Sequence, residues 1–224
     1  MELELSTPTA NDCGRMAEIH VRAMEANPLL HAQFPTSESV RRLEAFLAEH
    51  YASIITPRSP ARSRVLVAQH LPSRQIASFA TWDVPAEELT GEVAEEEKLE
   101  SGDITNLEGC QKQYLEKYAA LSAGAAVELL NGEKCYHLNF VCTDPEFQRM
   151  GAGEALTRAV MAAAQADGMR PVYLESTAVA VGLYKRLGFV TLGDFGMEIP
   201  KRGSTEQTED YREVCMVWRP TKME

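Results

Sequence analysis

The sequence predicts a single α/β domain built on a mixed sheet, and three observations predict it. Runs that alternate with period two and runs with helical spacing follow one another in the order β-α-α-β-β-(α)-β-α-β-α-β-β, with no internal repeat. Hydrophobic residues make up 45% and charged residues 25% of the 224 residues, the balance of an ordinary globular protein. A chain of this length buries roughly 70% of the surface it exposes unfolded, so it needs neither disulfides nor a metal to hold a core.

Each element has a local reason. Glu2–Thr7 alternates Leu3 and Leu5 with polar residues and reads as a strand. Asn11 or Asp12 is placed to cap a helix carrying Met16, Ile19 and Ala23, which Pro28 and Pro35 interrupt. A second helix runs from about Ser37 until Pro57 stops it, with Val40, Leu43, Leu47, Tyr51 and Ile54 on one stripe. Arg64–His70 and Gln75–Trp82 form a hairpin. A helix with Leu107, Tyr114, Tyr118 and Leu121 ends at the turn signal Asn131-Gly132. Then come a strand at Cys135–Thr143, a helix at Gly151–Asp167, a strand at Pro171–Ser176 and a short helix at Ala178–Leu187 closed by Gly188. Strands near Phe189–Leu192 and Tyr211–Trp218 bracket a polar loop at Lys201–Asp210.

Composition excludes several classes. No stretch approaches the ~18 consecutive apolar residues of a membrane span, and the acidic, alternating N-terminus is unlike a signal peptide. The expectation is a soluble, cytoplasmic protein. Five scattered cysteines without a C-x-x-C pair, and five histidines without an i, i+4 pair, predict no metal. A formal charge of −11 disfavours nucleic acid and anionic membranes as partners. Residues 87–103 hold eight acids against Lys98, a net of −7. They read as a solvated insertion or as an acidic rim that draws in a cationic substrate.

The chemistry concentrates in His137-Leu138-Asn139-Phe140-Val141-Cys142-Thr143-Asp144-Pro145-Glu146-Phe147-Gln148-Arg149-Met150-Gly151-Ala152-Gly153. A strand ends, Asp144-Pro145 turns the chain, and two glycines lead into an amphipathic helix. Bare amides from Arg149 to Gly153 at the positive end of a helix dipole make an anion site, with phosphate the usual occupant. The G-x-x-x-x-G-K-[ST] loop is absent, and Leu156 stands where a dinucleotide fingerprint needs a small residue.

The stretch resembles the pyrophosphate loop of the GNAT superfamily of N-acetyltransferases, [QR]-x-x-G-x-[GA], through Gln148, Gly151 and Gly153. Thr143-Asp144-Pro145-Glu146-Phe147 matches the family's preceding turn, with Thr143 where Val is commoner. Leu183-Tyr184-Lys185-Arg186-Leu187-Gly188-Phe189 matches a second signature. The resemblance is clear over Cys135–Leu192 and extends to element order in the N-terminal half. Residues 86–130 look like an insertion in one GNAT domain spanning 1–224, as several fungal-type members are built.

The resemblance implies a mostly antiparallel sheet whose fourth and fifth strands splay apart around the pantetheine arm of acetyl-CoA. Val141, Cys142 and Thr143 would line that arm, with backbone groups of Val141 and Thr143 bonding it. The amides from Gln148 through Arg149, Met150, Gly151, Ala152, Gly153 and Glu154 would hold the diphosphate. The Val141 N–H would face the thioester oxygen, and the Cys142 side chain would pack. Tyr184 would touch the coenzyme sulfur and protonate the departing thiolate, and Ser176 would bond the pantetheine or acyl end. Eleven residues before Gln148, His137 stands where histone-acetylating relatives carry a glutamate base. His137 is thus a candidate base, with Asn139 and Val141 expected on the same strand face and Glu175 as the other candidate. Lys185 and Arg186 are either phosphate ligands or solvated cations.

The function so implied is acetyl transfer from acetyl-CoA to a primary amine of a small molecule or peptide by direct attack, with a cationic amine expected from the chain's acidity. The alternative is an acyl-CoA-binding module without turnover. Both motifs suit either reading, whereas Tyr184 and His137 favour the enzyme.

Overall fold

In a computed structural model, which describes residues 2–56, 62–85, 103–204 and 206–221, seven strands form one sheet in the order β1-β2-β3-β4-β5-β7-β6. The strands are β1 (Leu3–Ser6), β2 (Ser63–His70), β3 (Gln75–Asp83), β4 (Tyr136–Thr143), β5 (Val172–Thr177), β6 (Val190–Pro200) and β7 (Thr208–Trp218). All neighbours are antiparallel except β4 and β5, which run parallel because a helix crosses between them. The helices are α1 (Cys13–Met24), α2 (Pro28–Gln33), α3 (Ser37–Ile55), α4 (Lys112–Leu130), α5 (Ala152–Ala166) and α6 (Val181–Arg186).

Apolar stripes decide which face each helix covers. Leu156, Val160 and Ala164 of α5 are fully buried against Leu138, Val172 and Leu174, with Tyr184 of α6 in the same cluster. On the other face, Met16, Ile19, Leu43, Leu47 and Tyr51 of α1 and α3 bury Phe79 and Cys142. There α4 lies over Tyr173, Phe195 and Cys215. Each fully buried Leu, Ile or Phe of this kind contributes roughly 1.5–3 kcal/mol.

Several expectations are corrected. Asp12 is the N-cap residue of α1, as expected, but its side chain makes no capping bond to α1: the carboxylate instead accepts from the N–H and hydroxyl of Thr9 (2.7 and 2.8 Å), which caps a preceding 3-10 turn at Ala10–Asp12. Pro28 starts a helix instead of only ending one: it sits in the first turn of α2, where its missing N–H is harmless, and the Asn27 side chain accepts from Leu29 N–H. Leu107 caps a separate 3-10 turn, so α4 begins at Lys112. Strand β6 extends to Pro200, and β7 begins at Thr208, which shortens the expected loop from its far end. Its extension has a readable signal, since Phe195, Met197 and Ile199 alternate and are all buried. The acidic residues 87–102 lie outside the described residues.

One irregularity decides the site. Thr81 pairs with Phe140 and Trp82 with Leu138, so Asn139 is an extra residue in β4, a β-bulge. The bulge inverts the strand's inside-out phase. Before it, Tyr136 and Leu138 face α5, and after it Val141 does. His137 therefore points to the α4 face, against Tyr173, and does not share a face with Val141 as uninterrupted alternation would require.

Candidate active site

The parallel ladder between β4 and β5 consists of Tyr136↔Val172 and His137↔Tyr173 alone. Beyond His137 the two strands part, leaving the β5-side edge of β4 without a ladder up to Thr143. Backbone groups alternate direction along a strand, which fixes what faces the gap. The Asp144 N–H donates to Ala77 O (2.9 Å) on β3. Cys142 O also faces β3, where it accepts from Ser78 Oγ at 2.8 Å. Val141 and Thr143 therefore turn their N–H and C=O groups into the gap. Ser78 Oγ, its proton given to Cys142 O, accepts from Thr143 Oγ1 at 2.8 Å. That bond accounts for a threonine where valine is commoner.

At the mouth of the gap, Arg149 (φ 62°) and Gly151 (φ 92°) are left-handed with Met150 between them. Such alternation curls successive amides toward one side. The first helical bond of α5 is Ala155 N–H to Gly151 O at 2.9 Å, so the amides before it lie at the helix's positive end with no intrahelical acceptor. Gly151 is required by its backbone angle rather than by crowding, since nothing lies within 4 Å of the position a Cβ would take. A Cβ on Gly153 would meet Val141 Cγ1 at 3.5 Å, Thr143 Oγ1 at 3.7 Å and Leu183 Cδ2 at 3.8 Å. The two sequence signatures thus converge at one glycine. Gln148 Nε2 donates to Thr143 O at 3.3 Å, closing the loop onto β4. Ala152 is buried, while the Glu154 carboxylate accepts from Arg158 Nε at 3.0 Å. Left-handed loop, open helix end and open strand edge together fit a diphosphate followed by an extended arm.

Tyr184 is buried, edge-on to Phe189 with ring centroids 5.5 Å apart. Burial, and secondarily the Cys142 thiol, hold its phenol well above the ordinary value, so it stays protonated at neutral pH. Its hydroxyl has no hydrogen-bond partner among the described residues. Cys142 lies in the core on the α1 side, and burial pushes its thiol up to about 12. Ser176 is buried and donates to Thr177 O at 2.9 Å. Lys185 and Arg186 are exposed, and Arg186 Nη1 donates to Gly182 O at 3.1 Å.

On the opposite face, His137 Nε2 lies 2.6 Å from Glu175 Oε2, and Ser122 Oγ of α4 donates to Glu175 Oε1 at 3.0 Å. Beside Glu175, on β7, Glu213 is buried under two hydroxyls, accepting from Tyr118 Oη at 2.9 Å and from Tyr211 Oη. Burial raises Glu213, Glu175 raises it further, and the two tyrosine bonds oppose the rise. The structure unites the two base candidates, His137 and Glu175, and adds Ser122, Tyr118, Tyr211 and Glu213, which no motif marks. Their only signals are spacings: Tyr114, Tyr118 and Ser122 at successive helical turns, and Tyr211, Glu213 and Cys215 in alternation.

Among the described residues no group of three or more His, Cys, Asp or Glu side chains could hold a metal ion, and no helix is long and apolar enough to cross a membrane. A family model described as an acetyltransferase (GNAT) domain matches residues 73–200. No curated protein matches the sequence significantly. Among solved structures, the chain is similar to a "histone acetyltransferase HPA2 and related acetyltransferase" from Corynebacterium glutamicum (22% identity, 100% and 99% of the two chains covered, TM-score 0.60). It is similar to a Drosophila melanogaster polyamine N-acetyltransferase that forms N-acetylagmatine (14%, 98% and 100%, TM-score 0.61). It is also similar to the PaiA N-acetyltransferase of Thermoplasma acidophilum in complex with coenzyme A (11%, 98% and 100%, TM-score 0.55). At these identities the likeness is one of fold. Nothing in the comparisons supports the narrower resemblance to fungal-type members.

Proposed function

The chain belongs to the acetyltransferase (GNAT) family, and on that premise we propose that it moves an acetyl group from acetyl-CoA to a primary amine of a small molecule or peptide, by direct attack. The observation that carries the reading is the gap between β4 and β5, with the Val141 and Thr143 edge turned into it. A coenzyme arm laid there as an added strand brings its thioester beside the Val141 N–H. Bound acetyl-CoA supplies the activated acyl group. The chain's part is to orient the arm, to stabilise charge on the carbonyl oxygen and to move two protons.

Each of those parts has a residue. A fixed N–H aimed at a developing negative oxygen is worth typically ~3–4 kcal/mol, and Val141 supplies one that no β5 ladder consumes. Tyr184, kept protonated by burial, is the donor for the departing thiolate. An alkyl ammonium of pKa ~10.4 is only about 0.04% neutral at pH 7, a deficit of about 4.6 kcal/mol that a base helps to offset. His137 is that base, approaching from the face opposite Tyr184. Cys142, buried and raised to about 12, is not placed to carry an acyl group, which supports direct attack. Two buried carboxylates on the α4 face, Glu175 and Glu213, together with the net charge of −11, favour a cationic acceptor.

Thiol release from acetyl-CoA, followed with spermidine, agmatine, tyramine and a lysine peptide as acceptors, tests the proposal. Acceptor-dependent release is expected. Tight coenzyme binding with no release from any primary amine would overturn it in favour of a binding module.

A further inference from the structure

The helix α4 is more than a cover. It places Ser122 on Glu175 (3.0 Å), and Glu175 in turn holds His137 (2.6 Å), so three elements meet in one hydrogen-bonded line. The Glu175 side chain is 8% exposed and that of His137 29%, and His137 is the only ion-pair partner of Glu175 among the described residues. We propose that Glu175, oriented by Ser122, is a positioning residue that fixes His137 in the tautomer with the proton on Nε2 and the lone pair on Nδ1. The inference rests on the reading of His137 as the base.

An ionised carboxylate only accepts hydrogen bonds, so the nitrogen facing it carries the proton and the other nitrogen is left basic. Both carboxylate oxygens are engaged, one by Ser122 and one by the ring, which stops the carboxylate from rotating. The edge of the Tyr173 ring, 5.2 Å away between centroids, limits the imidazole from the other side. The bulge at Asn139 is what turns this ring to the α4 face. During transfer, the amine nitrogen forms its bond to the acyl carbon and releases a proton, while the carbon–sulfur bond breaks and the departing coenzyme thiolate takes a proton from Tyr184. The Nδ1 lone pair takes the amine's proton, and Glu175 balances the resulting imidazolium. His137 lines a cavity of about 240 Å³ with Arg62, Glu133 and Lys134, through which the proton leaves to solvent.

Nitrogen NMR of histidine-labelled protein, at about pH 8.5 where an ordinary histidine is neutral, reads the tautomer directly. The Nε2–H form is expected, and the Nδ1–H form would overturn the inference. In the thiol-release assay, with whichever of spermidine or agmatine reacts faster, Glu175→Leu should lower kcat by about 10–100-fold and leave KM for the amine within about twofold. His137→Ala should fall as far, and the double variant no further, because residues acting as one unit are not additive. Ser122→Ala should cost about three- to tenfold in kcat, and Ser122→Thr, which keeps the hydroxyl, should restore it. Full kcat in Glu175→Leu beside an impaired His137→Ala would sink the positioning role alone. Full kcat in His137→Ala would sink the base reading itself. Should Glu175→Leu fail to fold, the wild-type tautomer and the Ser122 pair still decide the matter.

Discussion

The two faces of the sheet differ in what they offer a ligand. On the α5 and α6 face the groups proposed to meet the coenzyme are main-chain: the Val141 and Thr143 edge, the amides after Gln148, and a glycine at φ 92°. On the α4 face they are side chains: His137, Glu175, Ser122, Glu213 and two tyrosines, drawn from β4, β5, β7 and α4. Backbone recognition needs small residues and a set chain path within one short stretch. Side-chain recognition needs only that distant residues converge. The first leaves a pattern in the sequence, and the second does not.

The comparison breaks most sharply at Gly151. A β-branched residue there must adopt a left-handed conformation, at roughly 1–2 kcal/mol, and places its methyls beside the open amides of α5. Gly151→Val should weaken coenzyme binding by about 100-fold, near 2.7 kcal/mol, as measured by calorimetry. The same substitution should leave the pH dependence of the α4 face untouched. Binding within about threefold of wild type would mean that the loop does not grip the diphosphate through its amides.

In the proposed reaction Tyr184 is the one side chain of the α5 and α6 face given a chemical part, so its removal separates chemistry from binding. Tyr184→Phe keeps the ring against Phe189 and deletes only the hydroxyl. Turnover should fall by about 10–100-fold, while coenzyme affinity stays within about twofold. A loss confined to affinity would make Tyr184 a packing and binding residue.

Legibility follows the same division. Element order apart from α2, the hairpin, the loop–helix junction and the short helix with Gly188 were readable, because each depends on local spacing or on a turn residue. Pro28 misled because the missing N–H that ends a helix also suits the start of one. The phase of β4 misled for a deeper reason. A bulge is a tertiary event, and neither Asn139 nor its neighbours are a glycine or a proline that would mark it. Reading through it places His137 with Val141, whereas the fold sets them on opposite faces. Ser122 and Glu213 were unreadable as site residues, since a serine in a helix and a glutamate in a strand are ordinary until their partners are known.

The smallest effect sharpens the comparison from the α4 side. Buried carboxylates appear there and not among the residues around Tyr184, so a pH-dependent stability should come from that face. Glu213 is raised by burial, and a carboxyl whose folded value lies above its unfolded one makes the native state bind the extra proton. The unfolded chain then holds fewer protons than the native one between those two values, and stability falls as pH rises. Its contribution is thus fully present below the ordinary carboxylate range near ~4.3 and is lost as pH climbs through the raised folded value. Glu213→Gln cannot ionise and lacks that slope. Urea melts of both proteins between about pH 5 and pH 8 should show wild type losing on the order of 1 kcal/mol relative to Glu213→Gln across the window, against a ceiling of ~1.4 kcal/mol per pH unit for one proton. A flat difference across that window, with wild type losing stability only below about pH 4.3, would mean that the hydrogen bonds from Tyr118 and Tyr211 outweigh burial and hold Glu213 ionised beneath α4.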